Sequence, residues 1–394
     1  MNTDIRKYKM LTLAAFLLYV TYLAAKNVYT SEIIEITRHF GVSKSAASAA
    51  ASFSFVSYAF AQILFVKYIG KLNVTKYLLI CSPLSVVLFG LVPFCTEIWQ
   101  VWVIFALLGA LLSGIFPVCM LVISEYLPDE LVSPANKYMG VAFSLSFMLD
   151  YFFSALFIKV FDWRLGFYVF PLIYLVSAVF FCRVLKACPR IQREKTEKTT
   201  DKKTERKTVF LYLFTAGMIG LLVNMLYYAT SGWVPNLLSE QFGLSPALSV
   251  FITLLIPLTG AVGAAVCLEL CRRFPFWRVV ILCTAVSLAL SLILTGVYRA
   301  ALLLTLLLVI TLLFFVRGVS HVFGWQVPIN ARRIMDPSSA ATVLNIFSCV
   351  GAAAGPVLFG ALTDSFGYTA FFVAAAVSSA ALGAFMFAGK KIIN

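Results

Sequence analysis

Apolar stretches long enough to cross a bilayer recur along this chain from one end to the other. A spanning helix needs about 20 mostly apolar residues. Twelve stretches meet that requirement, at approximately 10–31, 45–69, 75–95, 98–126, 137–160, 165–186, 209–232, 246–271, 276–298, 300–329, 338–363 and 367–389. Hydrophobic residues make up 61% of the chain and charged residues 12%, whereas a soluble domain carries about 25% charged residues. No soluble core could hide this much apolar surface, so lipid is the solvent for most of the chain. Backbone polar groups in lipid must be satisfied within the segment itself, which selects helices. The expectation is an all-α membrane protein with twelve transmembrane helices. The first apolar run starts at Leu11 and passes Tyr22 without a small-residue cleavage site, so it reads as a retained span and not as a signal peptide.

The distribution of basic residues orients the spans. With the N-terminus in the cytoplasm, 24 of the 31 Lys and Arg fall on the cytoplasmic side. Five fall outside (Arg38, Lys44, Lys159, Arg164 and Arg299), and Lys26 and Arg317 lie within spans. This asymmetry puts both termini in the cytoplasm and points to a cytoplasmic (inner) membrane protein. It also accounts for the net charge of +14 without a nucleic-acid partner. The run RVLKACPRIQREKTEKTTDKKTERK, from Arg183 to Lys207, is the one long charged segment and lies near mid-chain. It reads as a solvated cytoplasmic linker, with contact to anionic lipid headgroups as the alternative. The chain then divides into an N-terminal six-helix bundle over 1–186, a basic linker over 187–208 and a C-terminal six-helix bundle over 209–394.

Several chemistries find no support. The nine cysteines are scattered, no Cys-x-x-Cys occurs, and the two histidines, His39 and His321, are far apart. A zinc site or disulfide framework is not expected. There is no Gly-x-x-x-x-Gly-Lys-Ser/Thr phosphate loop. No cofactor is implied, and Asp129-Glu130 has no partner in view that would make an enzyme.

The two halves echo each other. Phe40-Gly41-Val42-Ser43 follows the first span and Phe242-Gly243-Leu244-Ser245 the seventh, an offset of 202. Phe161-Asp162-Trp163, with Phe167 beyond, follows the fifth span. Phe366-Gly367-Tyr368, with Phe371 beyond, follows the eleventh at an offset of 205. Two matches at nearly one offset, close to half the chain length, indicate two pseudo-symmetric six-helix bundles. The interface between such repeats near the bilayer midplane is the natural place for a solute.

Ionisable groups inside a membrane are costly and therefore mark function. Tyr19, Tyr22 and Lys26 share one face of the first span, where the Lys26 ammonium could bind an anionic solute. The alternatives for Lys26 are a structural ion pair or reach to the outer surface. Asp150 lies near the centre of the fifth span. It could take up and release a proton, or form a fixed pair with Lys26. Arg317 sits near the middle of the tenth span, with His321 and Trp325 following at steps of four. It could meet a solute or extend to the cytoplasmic headgroups. The seventh span contributes Asn224, Tyr227, Tyr228 and Trp233, whose tyrosines can stack on a ring and hydrogen-bond a hydroxyl. An offset of 202 sets Lys26 opposite Tyr228. Gly351-Ala-Ala-Ala-Gly355 suggests close helix contact or a bend.

The twelve spans, the basic mid-chain linker, the repeated Phe-Gly-x-Ser and the ending Gly355-Pro356…Gly360…Asp364…Gly367-Tyr368 resemble the major facilitator superfamily over essentially the whole chain. Gly70 replaces the acid of that superfamily's loop signature between helices 2 and 3, while Lys71 and Lys76 remain. The counterpart between helices 8 and 9 keeps Glu269, Arg272 and Arg273. Tyr22…Lys26-Asn27 and Gly109…Pro117-x-Cys119 are similar to the organic-phosphate antiporter branch. The phosphate-gripping arginines of that branch would fall at Ala25 and Tyr227 and are absent here. The resemblance implies alternating access, with helices 1, 4, 7 and 10 around the cavity. Arg317 then becomes a second anion partner, and His321 a donor or titrating group.

The expected function is secondary transport of a small solute, an organic anion, by a monomer in lipid, driven by a solute or proton gradient. Tyr22, Lys26, Tyr227, Tyr228, Arg317 and His321 are the expected binding residues, and Asp150 is the proton-coupling candidate. Efflux of hydrophobic or cationic compounds on the same fold is the alternative, with Asp150 holding the cation. Reporter fusions at the linker and at both termini should all report a cytoplasmic location. Termini on opposite faces would refute the twelve-span reading.

Overall fold

The computed structural model describes residues 2–68, 73–189, 206–331 and 337–392. Fourteen helices account for these residues almost entirely. They are α1 (Asn2–Ser31), α2 (Ile33–Phe40), α3 (Lys44–Tyr68), α4 (Val74–Leu91), α5 (Ile98–Leu112), α6 (Ile115–Tyr126) and α7 (Asp129–Val160) in the first half. There follow α8 (Gly166–Lys186), α9 (Arg206–Phe242), α10 (Pro246–Thr253), α11 (Leu255–Arg273), α12 (Phe276–Val297), α13 (Leu302–Ala331) and α14 (Pro337–Ile392). Expected positions Gly70, Lys71, Arg332, Arg333 and most of the linker lie outside the described residues.

These helices make twelve spans. Helices α5 and α6 form one bent span, Ile98–Tyr126, and α10 and α11 another, Pro246–Arg273. Helix α14 contains two spans, because Gly367, at φ 75° and ψ −176°, folds the chain sharply where only glycine is unstrained. The bend between α5 and α6 is closed by a side chain from α4. The Tyr77 hydroxyl donates to the Leu111 carbonyl at 2.7 Å and accepts the Gly114 N–H at 3.1 Å, which satisfies backbone groups that the bend frees. Some helices outrun their apolar cores. The 37 residues of α9 give about 55 Å at 1.5 Å per residue, well past the hydrocarbon thickness.

The repeated Phe-Gly-x-Ser has a common structural cause in the two halves. Gly41 and Gly243 have φ of 61° and 65°, the left-handed conformation that terminates a helix. The serine two residues later caps the next helix: Ser43 Oγ accepts the Ala46 N–H at 3.2 Å, and Ser245 Oγ the Leu248 N–H at 3.4 Å. The motif therefore ends one helix and starts another at corresponding places.

Each half has its own apolar core. One is built from residues between Leu11 and Cys188. The other lies between Tyr212 and Met386, joined by Ile33 and Ala47 from the first half. Large apolar residues such as Phe60, Phe94 and Val176 point outward, 69%, 74% and 69% exposed, as a surface bathed in lipid requires. The bundles meet along two seams: α3 packs on the first part of α14, and α7 packs on α10 and α11.

Helices α9 and α14 approach closely through Gly351 and Gly355. A Cβ at either glycine would overlap the backbone of Leu221 or Met225, so only glycine allows this approach. Gly351→Ala should therefore lower the midpoint of thermal unfolding in detergent, by an overpacking cost of about 1–3 kcal/mol. Gly296→Ala, where an added Cβ meets nothing within 4 Å, should leave the midpoint at or slightly above that of the parent protein.

Candidate functional site

Lys26 is held by aromatic faces. Its Nζ lies 4.7 Å from the Phe55 ring centroid and 4.4 Å from that of Tyr58. These two rings are three residues apart on α3 and so share one side of it. No carboxylate pairs with Lys26 among the described residues. The Asp150 carboxylate instead receives the Ser31 hydroxyl at 3.1 Å, so the fixed Lys26–Asp150 pair is not formed. Tyr22 packs between Tyr19 and Tyr174, at centroid distances of 6.0 and 6.2 Å, buried in the core of the first half.

Arg317 repeats this arrangement from the other half. Its guanidinium lies 4.2 Å from the Phe143 centroid on α7 and 5.0 Å from that of Tyr227 on α9. Its stem crosses Gly260 of α11, where a Cβ would stand 3.2 Å from the Arg317 Cγ. His321 follows one turn later on α13, half-buried.

A chain of rings joins the two cations across the seam. Phe55, beneath Lys26, meets Tyr228 edge-on at 5.2 Å, and Tyr228 meets Tyr227 edge-on at 5.5 Å. Tyr227 then carries Arg317. Cation–ring attraction holds each charge in place, but it supplies no counter-charge. Beside this chain lies a cavity bounded by Lys26, Asn27, Ser54, Tyr228, Trp233 and Pro356. It is small, with room for only a few water molecules. The Asn27 amide nitrogen has no hydrogen-bond partner among the described residues, so a donor stands ready beside Lys26.

The end of the seam away from the chain termini is sealed by charge and backbone. The Asp364 carboxylate accepts the N–H groups of Lys44 and Ser45 at 3.2 and 3.1 Å. A carboxylate from one bundle thus caps the positive N-terminus of α3 in the other. Lys44 Nζ adds ion pairs to Glu240 at 3.1 Å and to Asp364 at 3.8 Å. One layer deeper, Trp233 Nε1 and the Ser48 hydroxyl both donate to the Pro356 carbonyl, at 2.9 and 3.2 Å. At the C-terminal end of α11, Glu269 is bonded by Arg272 and Arg273 of its own helix, at 3.1 and 3.2 Å.

The sequence profile of the Major Facilitator Superfamily matches residues 14–332. The chain belongs to this superfamily. Solved structures agree on the fold. A bacterial homologue of the human lysosomal transporter Spinster, inward-facing and occupied, superposes with a TM-score of 0.78 at 12% identity, over 98% of this chain and 97% of that one. The nucleoside transporter NupG gives 0.69 at 11% identity, over 98% of this chain and 98% of that one. No curated protein sequence matches the chain.

Within this superfamily fold, the structure brings together Lys26, Tyr227, Tyr228 and Arg317 and leaves Tyr22 in a core. Sequence reasoning passed over Phe55 and Tyr58. Their signal was a pair of aromatics in α3 amid the small residues of KSAASAAAS. It also passed over Lys44 as the partner of Asp364 and Glu240, although Lys44 directly follows the first Phe-Gly-x-Ser. Asp364→Ala should weaken the far-end seal by the loss of two hydrogen bonds to an ionised group, about 1.5–3 kcal/mol each. Spin labels on the far ends of α3 and α14 should then show a larger separated population. An unchanged distance distribution would rule out Asp364 as part of the seal.

Proposed function

We propose that this superfamily member is a secondary transporter of a small organic anion in the cytoplasmic membrane. It works as a monomer by alternating access, with both termini cytoplasmic, and a solute or proton gradient supplies the energy. One observation carries the reading: two cations, one from each bundle, stand at the seam on aromatic faces and lack carboxylate partners among the described residues. An anion placed between Lys26 and Arg317 would give both the missing counter-charge and would tie the two bundles together. The Asn27 amide and the Tyr228 hydroxyl would orient its polar groups, and the ring chain suits a cargo with a flat or apolar part. A carboxylate or phosphorylated metabolite fits these donors.

The enclosed space beside Lys26 is smaller than such a solute. Entry therefore requires the bundles to part, through the seam between α3 and α14 or that between α7 and α10. Closing the far-end seal while the other end opens, and the reverse, is the rocking motion that paired bundles permit. Nucleosides, the cargo named for one neighbour, are neutral and would leave both cations without a counter-charge. They serve as a discriminating control.

Uptake into proteoliposomes should be measured with organic anions, sugars, nucleosides and cationic dyes, with and without an imposed pH gradient. Anion uptake should saturate, and Lys26→Gln should reduce it about ten- to a hundred-fold, the factor set by loss of one contact to a charged group at about 1.5–3 kcal/mol. Full uptake by Lys26→Gln would remove Lys26 from the site. Transport of cationic dyes in place of anions would favour efflux on the same fold.

A further inference from the structure

We infer that Glu32 and Asp150, with Ser31 and Ser154 between them, form a carboxyl pair that binds one exchangeable proton and couples solute movement to the pH gradient. The inference rests on the transport reading above and adds a site outside the solute cavity.

Both carboxyl groups are fully buried, at 0% exposure, and so are the two serines. Ser31 Oγ lies 2.9 Å from the Val28 carbonyl, 3.1 Å from Asp150 Oδ1 and 2.9 Å from Ser154 Oγ. The Val28 carbonyl already accepts the Glu32 N–H at 3.0 Å. Two hydroxyls bring two hydrogens, too few to satisfy the serine chain and four carboxylate oxygens together. No donor stands in full hydrogen-bond geometry to either oxygen of Glu32 or to Oδ2 of Asp150, and the Ser154 hydroxyl is the donor next to both carboxyls. Leaving three anionic oxygens buried without a full hydrogen bond carries a large desolvation penalty. No ion pair to either group occurs among the described residues. One proton held by the pair corrects both faults: it turns an acceptor into a donor, and it removes one of two like charges that act on each other.

The surroundings do not offer a substitute charge. On α1, Lys26 is occupied by the rings of α3. On α2, Glu35 is paired with Arg38 at 3.6 Å, and His39 packs at a tilt against Trp163 at 5.5 Å. Ahead of α8, Asp162 holds Arg164 at 3.5 Å, and Gly166 of α8 itself presents only backbone beside Glu32. On α7 the neighbour is Tyr151, and on α10 it is Val250, which packs with Phe147, Tyr151 and Ala155. This placement also supplies the link to transport. Tyr151 and Phe147 line the solute cavity, while Asp150 faces away from it on the same helix, and the same stretch of α7 forms the seam with α10. A change in the charge of Asp150 therefore acts directly on an element that the bundles must slide past.

Infrared spectroscopy on the purified full-length protein reads the proton without knowledge of the solute. A protonated-carboxyl band should be present near neutral pH, shift in heavy water, and vanish as the pH is raised. It should be lost in the Glu32→Gln/Asp150→Asn double variant and unchanged in Glu35→Gln, which removes only the surface pair. A band that is absent from the parent protein, that survives in the double variant, or that disappears at fixed pH when sodium replaces choline would overturn the proton assignment. In proteoliposomes, Glu32→Gln should lose gradient-driven accumulation of the anion but keep solute exchange. Persistent accumulation would overturn the coupling role. A wild-type protein that moves no anion but shows the band would instead defeat the transport reading and leave the proton pair standing.

Discussion

Even partly withdrawing a charge from water without an opposite charge beside it is unfavourable, and this protein does so twice at the junction of its two bundles, at half-buried Lys26 and Arg317. Lys26 and Arg317 each rest on aromatic faces. The quadrupole of a ring steadies a cation by about 0.5–2 kcal/mol, far less than a buried carboxylate would. The remaining deficit is what the proposed anion would make good. A carboxylate at the same place would have cancelled each charge and made a static strut. Asp150, the obvious candidate for that strut, is directed elsewhere, into a pocket of serines behind the seam.

The rest of the architecture keeps the two bundles separable at that junction. The bundles have separate cores, so each can move as a unit. At the far end they are joined by contacts that are strong but few: a carboxylate on a helix N-terminus, one branched ion pair, and a carbonyl shared by Trp233 and Ser48. Polar contacts of this kind can be exchanged for water when the seam parts. The apolar interdigitation inside each bundle cannot. Within a bundle the opposite principle holds, and Gly351 and Gly355 bring α14 onto the backbone of α9 with no room for a side chain.

Much of the fold was legible because lipid enforces a simple code. Span number followed from apolar length, and the structure departs from it only in details. Helix α7 starts at Asp129, well before residue 137, and α9 runs on to Phe242, because polar helix ends persist outside the apolar core when neighbouring helices support them. The repeat was legible because Gly41, Gly243 and the serines after them answer a local backbone need, which forces the same residues at the same turn. The site was legible in part. Lys26 and Arg317 stood out as charges in apolar runs, and Tyr227 and Tyr228 as aromatics at the offset position. Phe55, Tyr58, Glu240 and Glu32 did not, since aromatics and helix-end acids are common and their meaning lies in what they face.

The sequence by itself determined the number of spans, the two-fold repeat and the presence of charge within the membrane, because each depends on the run of residues along one chain and on the solvent around it. Tertiary structure alone decided that Lys26 meets rings and not Asp150, that Asp150 meets Ser31 in a cluster with Ser154, and that Asp364 caps a helix 320 positions away in sequence. Those pairings depend on helix rotation and on the contact between two separately folded bundles, and no periodicity within a single helix encodes which face of another it will touch.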